Sequence, residues 1–304
     1  MVKEIFSKII DSIENKVLSK EISIDESRFV DVKSVGEGRI AFVDGGQAEL
    51  LKAANFSLQF IRVAGLIFED NKKKESIVEE FFVLISMNGD EYETEVFTVK
   101  GKGVEGIKIN SFDETIREGK ERASISKVGG IIRRFAEIDL AGRIDSNKVV
   151  LDGSLKTMIK GEDERMKGLL EKDKVIAALA KTSKLVEDGE CILSQLKKEG
   201  EWYYNIGESF VVKLNRNSNY VFEFDINNKE KVDEVLGMLR ANANDAVFPG
   251  YPYGLVMVDK IARISNEEKD YLLTIFKSQA GKKWEKISRS LNMLNAHEIL
   301  DNIS

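Results

Sequence analysis

Two aspartates occupy matching positions in this chain. Asp44 follows Ile40-Ala41-Phe42-Val43 and precedes Gly45-Gly46, and Asp152 follows Val149-Val150-Leu151 and precedes Gly153-Ser154. A short apolar run bounded by glycine predicts a buried strand, and the glycines let the backbone turn away at its end. Both carboxylates are therefore expected at the exits of rigid elements, and on neighbouring strands they would face one cleft. Glu137 lies on the helical stretch that leads into the second strand and would reach in from there. Ionised carboxylates gathered at one point repel one another unless a cation offsets them, and oxygen donors suit magnesium or manganese. Two such ions ~3.5–4 Å apart can activate a water and stabilise the leaving oxygen of a phosphodiester.

The elements that would hold these residues follow from the patterning. Ile5, Ile9, Ile13 and Val17 recur at four-residue spacing and predict an amphipathic helix over Val2 to Leu18, whose stripe covers a sheet edge or pairs with a second subunit. Phe56 to Phe68 and Glu80 to Met87 are rich in β-branched and aromatic residues, and Asn88-Gly89 is a hairpin signal. Three sequential antiparallel strands are expected, with Asn71 to Glu75 as a solvated turn and Gly101 to Gly106 as a link. A long helix is expected from Ser111 toward Gly142, with Asp113 and Glu114 in its first turn and a kink or close approach to the sheet at Gly129-Gly130. Lys148 to Asp152 and Val175 to Ala180 read as strands, and Trp202 to Phe224 as three more. Gly161 to Glu171, Glu230 to Ala241, Gly254 to Ile264, Glu267 to Gln279 and Lys283 to Leu300 read as helices. Three antiparallel strands, a helix and a returning strand beside the first make the order of a ribonuclease H-like α/β sheet flanked by helices, with additional strands and C-terminal helices. No repeat or long linker interrupts residues 1–304, so one elaborated domain is expected.

Composition excludes several classes. The 304 residues are 42% hydrophobic and 32% charged with a net charge of −6, enough for a core but without a basic field to attract a polyanion. One cysteine, Cys191, and one histidine, His297, exclude an intrachain disulfide framework and argue against a Cys/His zinc centre. Apolar runs such as Phe81 to Ile85 fall far short of the ~20 residues of a membrane helix, and the amino terminus has no signal-peptide pattern. A soluble, cytoplasmic protein is expected.

Four stretches in order carry a family resemblance: Phe42-Val43-Asp44-Gly45-Gly46; Glu137 ahead of Val150-Leu151-Asp152-Gly153-Ser154-Leu155; Ile176-Ala177-Ala178-Leu179-Ala180-Lys181-Thr182-Ser183; and Gly250-Tyr251-Pro252-Tyr253. Over about residues 38–264 the chain resembles the NurA family of archaeal and bacterial DNA-end-processing nucleases. The resemblance implies a ribonuclease H-like fold, manganese-dependent 5′-to-3′ exonuclease and single-strand endonuclease activity for DNA end resection, a homodimer and a HerA-type hexameric translocase as partner. It also points to Asp259, which stands where the family usually has histidine, eight residues after the tyrosine of its Tyr-Pro motif. Aspartate can ligate a hard metal, giving an all-oxygen set of Asp44, Glu137, Asp152 and Asp259 for two manganese or magnesium ions. Gly46 stands where the family more often has serine.

Other residues carry two readings each. Lys181 either contacts a phosphate or marks a strand end, and Arg62 either contacts a phosphate or pairs with an acid. Arg133 and Arg134 either bind DNA or form a helix surface. Tyr251 either stacks on a base or belongs to a rigid helix entry. Two rival functions remain open: an actin- or sugar-kinase-like ATPase, which predicts duplicated lobes, and a non-catalytic DNA-end-binding scaffold that lost activity through Asp259. No P-loop sequence is present.

Overall fold

The computed structural model describes residues 2–16, 24–33, 36–181, 186–187, 190–191, 195–245 and 248–291. In chain order it forms α1 (Val2–Lys16), β1 (Phe29–Asp31), β2 (Arg39–Lys52), β3 (Phe56–Glu69), β4 (Lys72–Asn88), β5 (Glu91–Lys100), β6 (Lys108–Asn110), α2 (Lys127–Arg143), β7 (Lys148–Asp152), α3 (Glu162–Leu170) and β8 (Val175–Ala180). There follow β9 (Val186–Glu187), β10 (Glu190–Cys191), β11 (Trp202–Ile206), β12 (Ser209–Lys213), β13 (Phe222–Ile226), α4 (Val232–Asn242), α5 (Tyr253–Ala262) and α6 (Asn266–Ala280). Eleven strands form one mixed sheet in the order β1-β11-β12-β13-β8-β7-β2-β3-β4-β5-β6, and β9 pairs with β10 apart from it. The expected ribonuclease H-like order is present: β2, β3 and β4 run antiparallel, and after α2 the chain returns as β7, parallel to β2.

The chain divides into two compact units, and the division runs through β7 and β8 themselves. One unit, residues 38–151, 155–176 and 254–304, holds the long antiparallel strands. Its sheet carries α2 on one face. On the other face α6 and the residues after it cover Leu50, Leu51, Leu58 and Phe60, with Phe276, Trp284 and Ile287 against them. The second unit, residues 1–37, 152–154 and 177–253, holds the β11–β13 meander, α4 and a core of Phe29, Leu196, Trp202, Tyr204 and Val211.

Several expected boundaries move. Asn71 to Glu75 is not a solvated turn. The hairpin turns on Asp70-Asn71 alone, at φ 50° and 61°, and Lys72 already pairs with Glu69. Two central residues at positive φ match the strand twist, and Asp and Asn tolerate that region. The next hairpin closes on Gly89-Asp90, so four antiparallel strands run in sequence where three were expected. The helix expected from Ser111 begins only at Lys127. Asp113 instead accepts hydrogen bonds from the backbone and side chain of Thr115, a local turn that competes with helix initiation. The close approach expected at Gly129 is real, since a Cβ there would overlap the Gln59 side chain on β3. The apolar stripe of α1 is exposed from Val2 to Ile13 and, among the described residues, covers no sheet edge. No described helix is long and apolar enough to cross a membrane. The side chain of Cys191, all of His297 and the helix expected beyond residue 291 lie outside the described residues.

Candidate active site

Asp44 does not end a strand. β2 continues through Asp44-Gly45-Gly46 to Lys52, and the two glycines serve close packing on opposite faces of the strand. Side chains alternate, so Phe42, Asp44 and Gly46 share one face and Val43 and Gly45 the other. A Cβ on Gly46 would overlap the carbonyl of Ala262, and one on Gly254 would overlap the ring of Phe42. α5 therefore lies along the Asp44 face, and Asp259 on that helix offers a carboxylate oxygen within 4.8 Å of one from Asp44. Asp44 is 8% exposed and accepts the N–H of Gly45 at 2.8 Å. Asp259 accepts from Arg263, one helical turn on, at 2.6 Å.

Glu137 approaches β2 from the other face. A Cβ on Gly45 would lie 2.6 Å from its Oε1, so the missing side chain makes room for a carboxylate that is 3% exposed. Glu137 pairs with Arg133, which also donates to the Gly45 carbonyl at 3.1 Å, and Arg134 lies 3.6 Å from its second oxygen. Glu137 thus meets β2 at Gly45, one residue on from Asp44 but on the α2 face, with its charge balanced by two arginines.

Asp152 does end its strand. β7 lies parallel to β2 with Leu151 opposite Val43, so Asp44 and Asp152 are the next residues of two strands in register. Gly153 takes φ 112°, a region closed to most L-residues, and donates its N–H to the Leu179 carbonyl at 3.1 Å. Both carboxylate oxygens of Asp152 accept: Oδ2 from Lys181 Nζ at 2.6 Å and Oδ1 from the Tyr251 hydroxyl at 3.2 Å. Lys181 also lies 5.4 Å above the centre of the Tyr251 ring. Beyond the turn, Ser154 donates to Asp225 at 2.7 Å, and Ser209 donates to its other oxygen at 2.7 Å. Asp225 is buried on β13. Sequence reasoning missed it, because nothing near it in the chain signals its link to Ser154.

The cations and the tyrosine expected at DNA take other partners. Tyr251 is 2% exposed and packs on Phe222 at 5.1 Å between ring centres, so it has no face for a base; its polar end faces Asp152. Arg62 is an acid-paired strand cation, held by Glu80 at 2.7 Å and by Glu268. Burial lowers its proton affinity, and the hydrogen bonds to Glu268 and Glu80 outweigh that and raise it. Arg134 is held at 2.8 Å by buried Glu162, whose other oxygen accepts the Met158 N–H. Lys181, half exposed, is the cation of the set that stands at Asp152, as Arg133 and Arg134 stand at Glu137.

A mixed sheet in which β2, β3 and β4 run antiparallel and β7 returns parallel to β2 is of the ribonuclease H-like class. No family model and no curated protein matches the sequence. Solved structures do. The NurA nuclease of Sulfolobus solfataricus superposes at a TM-score of 0.54 with 13% identity over 93% of this chain and 95% of that one. A second NurA structure matches at 0.58 with 10% identity over 95% and 98%. A third, of NurA bound to dAMP and manganese, matches at 0.54 with 10% identity over 89% and 94%. The chain has the fold of the NurA nucleases.

Proposed function

We propose that this protein is a divalent-metal-dependent deoxyribonuclease of the NurA kind, with Asp44, Asp152 and Asp259 as metal ligands and Glu137, on the other face of β2, as the acid that holds Arg133 on the Gly45 carbonyl. The observation that carries the proposal is the register of β2 and β7, which makes Asp44 and Asp152 successive to a facing pair, together with Asp259 within 4.8 Å of Asp44. The donor set fits the cation. It offers hard carboxylate oxygens, which suit magnesium or manganese, and the manganese in one structure of the same fold supports this. When bound, such an ion supplies an activated water and charge neutralisation at a leaving oxygen, and two ions share those tasks.

The chain's own residues do the rest. Tyr251 fixes one oxygen of Asp152 and leaves the other to Lys181, which is exposed enough to turn toward a substrate phosphate. Arg263 holds Asp259 in the same way. With a net charge of −6, DNA affinity must come from such local cations and should fall steeply with salt. The resemblance extends the proposal to 5′-to-3′ exonuclease and single-strand endonuclease action in end resection with a HerA-type translocase. The exposed stripe of α1 supports a second subunit as a further partner.

The test is incubation of the purified protein with end-labelled single- and double-stranded DNA in manganese, magnesium or EDTA. Cleavage in the metals and none in EDTA is expected. Metal-independent cleavage, or binding without cleavage in either metal, overturns the catalytic reading, and the latter result favours a DNA-end-binding subunit.

A further inference from the structure

In the same compact unit as Asp152, two aromatic rings stand exposed. Tyr220 and Phe248 stack with 5.3 Å between ring centres and 22° between planes, and Phe248 meets Tyr251 edge-on at 6.2 Å. Tyr251 in turn donates to Asp152, so a continuous row of rings leads from the protein surface to a site carboxylate. Tyr220 is 57% exposed although one side of its ring lies against Phe248, so the other side is open to solvent; Phe248 is 39% exposed.

Local restraints act on the backbone on either side of these rings. The chain has two prolines, Pro249 and Pro252, and each directly follows a ring of this row, Phe248 and Tyr251. A residue before proline is steered away from helical backbone. The Tyr220 loop is tied down by buried side chains. Asn215 donates to Asn244 at 3.0 Å and accepts the Asn217 N–H at 2.9 Å, and Ser218 accepts the Tyr220 N–H at 3.0 Å. Gly250, at φ 99°, packs so closely beside Ser218 that a Cβ would not fit. An exposed aromatic face restrained in this way loses less freedom when a flat partner covers it than an unrestrained one would.

We infer that Tyr220 and Phe248 form a stacking platform for an unpaired base of single-stranded DNA, one that guides the strand toward Asp152. The partner chemistry is that of a base π-face next to a phosphate. Every base has such a face, so the platform is tolerant of sequence, and a base within a duplex is already stacked and cannot use it. Lys181, beside Tyr251, provides the neighbouring cation for the backbone. The inference rests on the nuclease reading and adds the residues that position an unpaired strand, Tyr220 and Phe248.

The experiment measures binding of the full chain, in EDTA, to a fluorescent single-stranded oligonucleotide and to the same oligonucleotide with abasic sites. Wild type, Tyr220→Phe and Tyr220→Leu are compared, with thermal melts as folding controls. Loss of one stacked base corresponds to about fivefold or more in affinity. Tyr220→Leu is expected to weaken binding of the normal strand by that factor and leave the abasic strand unchanged, while Tyr220→Phe binds as wild type. Equal affinity of Tyr220→Leu and wild type for the normal strand overturns the platform, as does equal weakening on both strands. Wild-type cleavage in manganese, measured alongside, separates the two readings: cleavage with no Tyr220 effect removes only the platform, and absence of both binding and cleavage removes both.

Discussion

The hydroxyl of Tyr251 donates to Oδ1 of Asp152 at 3.2 Å, from a ring that is otherwise buried. A phenol held this way orients the carboxylate without adding charge. Hydrogen bonds to ionised groups contribute about 1.5–3 kcal/mol. Tyr251→Phe keeps the ring packing and removes that donor. Manganese-dependent cleavage is expected to fall about tenfold or more with little change in melting temperature, and an unchanged rate would show that Asp152 is oriented by other means.

Asp44→Asn and Asp152→Asn keep side-chain volume and remove the charge that a divalent ion requires. Each should lower the rate by at least about a hundredfold, the upper range for losing even an outer partner of a metal site. Calorimetric manganese titration should show weakened binding in both. Wild-type affinity in a folded Asp44→Asn protein would remove that residue from the site.

Asp259 separates this chain from the histidine-bearing pattern that it resembles. Asp259→Asn is expected to weaken metal binding and rate together and to release Arg263. Asp259→His should keep manganese-dependent activity and shift preference away from magnesium, since imidazole suits later first-row metals better than magnesium. Superimposable metal titrations for wild type and Asp259→Asn would assign the residue to its arginine pair alone.

Gly46 and Gly168 offer a paired test of packing. A Cβ on Gly46 meets the Ala262 backbone, so Gly46→Ala should destabilise by about 1–3 kcal/mol as α5 is pushed off β2. A Cβ on Gly168, inside α3, meets nothing within 4 Å. Gly168→Ala should stabilise by about 0.5–1 kcal/mol through helix propensity. Denaturant midpoints moving in the same direction would refute this placement of α5.

Tyr203 lends the fold a pH dependence at the alkaline end. Burial, and then its hydrogen bond to Asp233, push its pKa from 10.0 up to about 12. Unfolding releases a phenol that ionises near its ordinary value. Its contribution to stability is therefore complete below about pH 10 and is lost as pH rises through about 12. Tyr203→Phe should flatten that part of the melting-temperature profile, and parallel wild-type and variant profiles between these values would contradict the assignment.

Much of the architecture was legible in the residues because local pattern and tertiary environment agree there. Buried strands such as Val175–Ala180 and the β11–β13 meander announce themselves by apolar runs, and Asn88-Gly89 announces a turn that the structure places one residue later. Where local signals compete, the sequence misled. Asp113 and Glu114 look like a helix start, yet Asp113 finds Thr115 first, and the helix waits until Lys127. Lys72-Lys73-Lys74 look solvated, yet a ladder to β3 keeps an exposed strand extended whatever its side chains.

By itself the sequence determined that Asp44 and Asp152 each follow an apolar strand segment, that the supply of histidine and cysteine favours an oxygen site, and that Tyr251 and Asp259 lie eight residues apart. Tertiary structure alone decided what those residues touch. Gly45-Gly46 reads as a turn because glycine permits one, but α2 and α5 press on opposite faces of β2 and use the absence of two side chains instead. That is why Glu137 and Asp259 reach the strand from opposite sides, and why Tyr251 spends its ring in the core and only its hydroxyl on Asp152. Spacing along the chain specifies the face of an element, whereas the neighbour of that face is set by how distant elements pack, and no local pattern encodes it.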